Sequence, residues 1–194
     1  FDLLLYNPDF AISPKEINYP YDKYFKEVEI VTMRSSWQDK DALFAAMKGG
    51  NNKASHGDLD LGSFVLDALG IRWAEDVGAN NYNLPGYNFY RNRAEGHNTL
   101  VFNPERNSLD QNRNAFAKIE KFKSKDAEAM GILNLKYAYK EGYRDPDNSI
   151  KRGIKLFDFR RMLLLKDDIK LNKPAKLWWF MHTKAGIDIK NDGR

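Results

Sequence analysis

Histidine is scarce in this chain: there are three in 194 residues, and one of them opens the run His56-Gly57-Asp58-Leu59-Asp60. On an extended backbone, side chains two apart point to the same face, so His56, Asp58 and Asp60 are expected to share one. An imidazole beside two carboxylates suits either proton transfer or a metal. It suits a core poorly. The plain alternative is a polar, solvent-facing strand edge, where aspartate is common. Two further residues add weight to the chemical reading. Asp76 ends the next strand beside Gly78, and His97 opens a third strand after a glycine. Strands adjacent in sequence usually lie adjacent in space. A carboxylate from this run, that of Asp76 from the next strand and the His97 imidazole from a third can therefore form a three-ligand site of nitrogen and oxygen donors, which zinc accepts. A metallohydrolase would need a general base beside such a site, and only Asp60 is at hand.

A second constellation is the loop holding Tyr82, Tyr87, Phe89 and Tyr90, followed by Arg91 and Arg93. Tyrosine rings stack on sugar faces, and the arginine fork binds carboxylate or sulfate through two parallel hydrogen bonds. The same residues would also serve a loop that packs its own tyrosines. Trp178-Trp179, next to His182, needs only a half-buried strand with one indole inward and one outward. Gly49-Gly50 lacks the Lys-Ser/Thr of a phosphate loop, and no Gly-x-Ser-x-Gly occurs. The lysines are scattered rather than striped with aromatics, so nucleic acid is not expected.

These residues must be held by something. The chain is 42% apolar and 30% charged, with net charge +4 and no cysteine, so disulfides and thiolate metal sites are excluded. No apolar run is long enough to span a membrane. Strands are expected from Phe25 to Met33, within 41–50 before the Gly-Gly-Asn-Asn turn, on both sides of Leu69-Gly70, and in HNTLVFNP. More follow at 117–125, 132–140, 153–166 and 177–190. Short strands with turn chemistry between them imply an all-β fold, an antiparallel β-sandwich. Residues 1–20, with three prolines and no sustained period, read as a connecting segment, and 21–194 as the sandwich domain. A chain that opens mid-pattern with FDLLLYNPDF is expected to be part of something larger.

The stretches MRSSW (33–37), MKGGNN (47–52), SHGDLDLGSFVLDALGIRWAEDVG (55–78), YRNRAEGHNTLVFNP (90–104) and LWWFMHT (177–183) resemble the heparinase II/III-like family of polysaccharide lyases. The resemblance implies a β-sheet domain that works with an α/α-toroid, here missing. It implies that His56 is the catalytic histidine of the sandwich. It also implies that a tyrosine before the His-Asn-Thr motif, Tyr82 first and Tyr87 second, joins the chemistry, with Tyr90, Arg91 and Arg93 on the substrate. Asp58, Asp76 and His97 correspond to a structural metal site, zinc first; an aspartate stands where the family carries a histidine, which opens the site to calcium or manganese. The implied reaction is β-elimination on an acidic, uronate-containing polysaccharide, heparan sulfate-like or alginate-like, outside the cytoplasm (periplasmic or secreted). The competing reading is a carbohydrate-binding or structural sandwich without catalysis. Asp60 is left with a strand-end role.

Overall fold

The computed structural model describes residues 7–78, 90–104, 110–139 and 144–190. Two five-stranded antiparallel sheets face each other. The first runs in the order β1-β2-β3-β5-β6, built from β1 (Lys23–Phe25), β2 (Ile30–Arg34), β3 (Phe44–Lys48), β5 (Phe64–Ala68) and β6 (Ile71–Ala74). The second runs β11-β10-β9-β8-β4, from β4 (Gly50–Asn51), β8 (Phe116–Lys125), β9 (Glu128–Asn134), β10 (Ser149–Phe157) and β11 (Met162–Lys170). A separate ribbon pairs β7 (Leu100–Phe102) with β12 (Leu177–Trp179). The expected all-β antiparallel sandwich is what forms.

Alternation builds the core. In β2 it buries Val31 and Met33, in β3 Ala45 and Met47, and in β10 Ile150, Ile154 and Leu156. These join one cluster with Ile119, Ala129 and Leu133. The sheets approach closely where Gly131 faces Val31, whose methyl would lie 3.0 Å from an added Cβ. Gly49 is the crossing point between sheets: β3 ends at Lys48, and Gly50 pairs with Ala117 of β8. A Cβ at Gly49 would lie 2.7 Å from the Ala117 carbonyl.

Several strand expectations need correction. Phe25 to Met33 is not one strand, because a turn at 26–29 divides it into β1 and β2. Residues 153–166 are likewise a hairpin, β10 and β11, reversing through Asp158, Phe159 and Arg160, all with positive φ. The strand placed at 132–140 is β9, which ends at Asn134. The turn at Leu69-Gly70 forms as read, with φ of 56° and 71° at its two central residues. That is the backbone hand that favours a two-residue hairpin.

Candidate active site

The His56 segment is a loop, not a strand, so the expected alternation of His56, Asp58 and Asp60 does not hold. His56 itself has φ of 58°, a left-handed conformation unusual for a residue with a Cβ, and it is exposed. The loop is fastened at its two feet by buried Gln111. Its carboxamide oxygen accepts from the Leu61 N–H (3.1 Å) and from Asn52 Nδ2 (3.2 Å), while its Nε2 donates to the Leu61 carbonyl (2.9 Å). Between the feet Gly57 sits on backbone: an added Cβ would lie 2.8 Å from the carbonyls of both Ala54 and Asn52. The Leu59 N–H donates to the Asn92 carbonyl (3.0 Å), which ties this loop to the segment leading to His97.

Arg152 locks the two segments to the core. It lies mid-strand on the inward face of β10 and is 0% exposed. Its guanidinium holds Asp167 through two bonds of 2.7 and 2.9 Å, and its Nη1 donates to the carbonyls of Gly62 (2.8 Å) and Asn98 (2.9 Å). One charged fork thus positions both motifs. The Thr99 hydroxyl adds a bond to the Leu61 carbonyl at 2.8 Å.

Beside this frame lies a polar cluster. His97 is 1% exposed, and its Nδ1 meets Asp76 Oδ2 at 2.8 Å. Its other nitrogen, Nε2, is buried and has no hydrogen-bond partner. Burial pushes the imidazole down, but the Asp76 hydrogen bond and the charges of Asp60, Asp76 and Asp58 prevail and raise it. Asp76 is lowered, chiefly by that same bond. Asp58 is raised because burial outweighs the charge of His97 and the 2.6 Å hydrogen bond from Asn92. Asp60 accepts from Lys48 Nζ at 2.6 Å, so it is the partner of a lysine on β3 rather than a strand-end cap. Lys48, Asp60 and Asp76 line one cavity of about 180 Å³.

Of the expected metal ligands the structure joins Asp76 to His97 directly, while Asp58 is engaged by Asn92. Among the described residues no three such side chains converge closely enough to hold an ion. The donor types nonetheless fit one, since an imidazole nitrogen is buried without a partner amid carboxylate charge.

The expected substrate residues separate. Tyr90 is 45% exposed, whereas Arg93 is buried in ion pairs with Glu95 (2.8 Å) and Asp110 (3.2 Å) and is not presented to a ligand. Arg91 is half-buried. Tyr82 and Tyr87 lie outside the described residues. Trp178 and Trp179 are both exposed, contrary to one in and one out, because β12 pairs only with β7 at the margin. Sequence reasoning gave His182 no role, yet its Nε2 meets the Tyr90 hydroxyl at 2.7 Å. A histidine three residues past an exposed strand carries no pattern of its own; only the fold brings it across to Tyr90.

The sequence profile of the family described as Heparinase II/III-like, C-terminal, matches residues 20–194. The chain belongs to that family. No curated protein matches the sequence. Among solved structures, the heparan sulfate lyase HepC from Pedobacter heparinus has the same fold, with a TM-score of 0.66 at 18% identity over 84% of this chain. A heparinase III gene product aligns over 92% of this chain with a TM-score of 0.69 at 15% identity, and a further heparinase III structure over 78% with 0.59 at 16%. The chain spans only 25%, 27% and 23% of those three proteins. At such identities the likeness is one of fold.

Proposed function

We propose that this chain is the β-sandwich part of a lyase that cleaves a uronate-containing acidic polysaccharide by β-elimination. Family membership together with one observation supports this reading. The His56 loop and the segment from Tyr90 to Asn98 are fastened to each other and to Arg152, and they leave His56 and Tyr90 at the surface. In such a reaction a base takes the proton at C5 of the sugar, the carboxylate is neutralised by hydrogen bonds, and the glycosidic oxygen leaves C4 with a returned proton. His56 is assigned to the substrate carboxylate, and a tyrosine, with Tyr82 and Tyr87 the candidates by resemblance, to proton transfer. Arg91 and Tyr90 line the approach of the polymer. A helical domain of the same protein would form the far wall of the cleft, and turnover would require it. The location proposed for such an enzyme is the periplasm or the cell exterior.

Asp58, Asp76 and His97 would hold one divalent ion, zinc first, with calcium or manganese as alternatives. Such an ion would tie three segments together. The reaction residues named above act without it.

The test is the protein at its full natural length, incubated with heparan sulfate and with alginate while the absorbance of the unsaturated product is followed. Activity that is lost in His56→Ala, with polymer binding retained, supports the reading. Binding to polymer with no unsaturated product from any uronate substrate would instead make the sandwich a binding module.

A further inference from the structure

We propose that His182 is the proton acceptor that makes Tyr90 a general base, through a Tyr90–His182–Asn98 relay whose direction the core fixes. The argument starts at Asn98, which is 0% exposed. Its Nδ2 donates to two backbone carbonyls, Phe64 (2.8 Å) and Glu75 (3.1 Å). Both amide hydrogens are therefore used, and Oδ1 must be the atom turned toward His182. That oxygen can only accept. It receives the His182 backbone N–H at 2.6 Å and lies 3.1 Å from Nδ1. Nδ1 of the neutral imidazole must then carry the hydrogen, which leaves a lone pair on Nε2. Nε2 is the atom 2.7 Å from the Tyr90 hydroxyl, so the phenol donates to it.

The surrounding structure keeps that geometry. The Glu75 N–H donates to the His182 carbonyl (2.9 Å), the Phe180 N–H to the Thr99 carbonyl (3.0 Å), and the Phe180 ring stacks on the imidazole at 12°. Burial and the charge of His97 hold His182 below its ordinary value, ahead of the opposing effects of Asp76 and the Glu95 backbone. Glu95 also faces Tyr90, which burial first and that charge second push up. A phenol so placed does not ionise alone near neutrality; it needs an acceptor for its proton, and the imidazole is in contact with it. Tyr90 is 45% exposed, so its oxygen can meet a polymer.

The relay rests on the lyase reading above and gives the proton-transfer role there assigned to Tyr82 or Tyr87 to Tyr90 instead. As Tyr90 Oη takes the C5 proton, its own hydroxyl proton passes to His182 Nε2. The C5–H electron pair becomes the C4–C5 double bond, and the C4–O pair departs with the glycosidic oxygen. The proton returns from His182 through Tyr90 to that oxygen, so the protein ends as it began. Tyr90 touches the reacting atoms; His182 is a positioning residue acting through it.

The experiment uses the full-length protein, with His182→Gln, Tyr90→Phe and the double variant, on the uronate polymer that the wild type cleaves. The expected result is a loss of about 10²-fold or more in kcat for each single variant, KM staying within about threefold. The double variant loses no more than the worse single one. His182→Gln also moves the acidic limb of the pH profile, and with it the optimum, to higher pH, because Tyr90 must then ionise unaided. Wild-type-like kcat and pH profile in His182→Gln, or losses that multiply in the double variant, would overturn the relay while the lyase reading stands. A wild type silent on every uronate polymer removes the lyase reading, and the relay with it. Nitrogen-15 shifts of His182 give a readout apart from turnover: protonated Nε2 in the neutral ring contradicts the proposal even if the variants fold poorly.

Discussion

Where β2 ends at Arg34, the Arg160 guanidinium gives two bonds of 2.8 Å to Asp22 and three more to the carbonyls of Asp126, Arg34 and Lys125, so all five of its N–H donors are used. At the other end of the β2–β3 ladder, where Ile30 pairs with Lys48, the polar groups are left incomplete. His97 Nε2 and Asn92 Oδ1 are buried there without hydrogen-bond partners, and buried Asp110 is held by Arg93 at 3.2 Å and by Glu95. The larger cavity, about 330 Å³, belongs to the completed end, lined by Tyr19, Trp37 and Arg160. Volume therefore does not distinguish the two ends in the way hydrogen bonding does. The orphaned groups mark the His97 end, and each buried orphan costs stability.

The sharpest way to break this contrast is to damage the finished end. Asp22→Ala strands the buried Arg160 charge and should cost about 3–5 kcal/mol in a denaturant titration. A loss below about 1 kcal/mol would mean that the network there is no more than decoration.

A smaller effect is expected from filling the unfinished end. If a divalent ion occupies Asp58, Asp76 and His97, zinc at about a hundred times its dissociation constant stabilises by about 2.7 kcal/mol. Asp58→Ala and His97→Ala should each abolish the zinc-dependent rise in thermal midpoint, and metal analysis of the purified protein should give one equivalent. A midpoint indifferent to both zinc and chelator would show that Asn92 and His97 already satisfy the carboxylates of Asp58 and Asp76.

How far the sequence discloses this arrangement depends on the kind of signal. The strands β3 and β8 are readable where they form, and so is the Leu69-Gly70 turn. The reversal at Asp158-Phe159-Arg160 is not, for it uses three consecutive left-handed residues without glycine, proline or asparagine. Glu29, φ 55°, hides the turn between β1 and β2 in the same way; its carboxylate is held by the Tyr24 hydroxyl (2.6 Å) and the Ile119 N–H (2.7 Å), a partner 90 residues away. At the site, the motifs around His56 and His97 are visible locally. Arg152, Gln111 and His182 are not, since an inward arginine, a buried glutamine and an edge histidine become meaningful only when distant segments meet.

Asp110 gives a milder test with a definite sign. Burial, and then Glu95 beside it, raise its pKa to about 7 from the ordinary value of 3.8. A raised acid binds its proton more tightly when folded, so its contribution is fully present below 3.8 and is lost as pH rises through about 7. Glu95, lowered in the same pair, acts in the opposite sense as pH falls. Asp110→Asn keeps the shape and removes the ionisation. The fall in wild-type stability between pH 5 and 8, on the order of 1 kcal/mol, should flatten in the variant, read from denaturation midpoints across that range. An equal slope in both proteins would place the titrating group elsewhere.

The smallest change in stability is expected at the residue proposed to matter most for turnover. His56 is exposed, so its imidazole adds little to packing, and its left-handed φ of 58° is one that asparagine tolerates better. His56→Asn should leave the thermal midpoint unmoved, or raise it by the equivalent of at most about 0.5 kcal/mol. In the full-length protein the same variant should lose lyase activity, about 10²-fold or more in kcat. A strained backbone that costs stability and returns activity is what a working residue looks like in this position. If His56→Asn were instead strongly destabilising and kinetically silent, the loop would be a structural brace, and the contrast between the two ends of the sandwich would have to be explained by the His97 cluster alone.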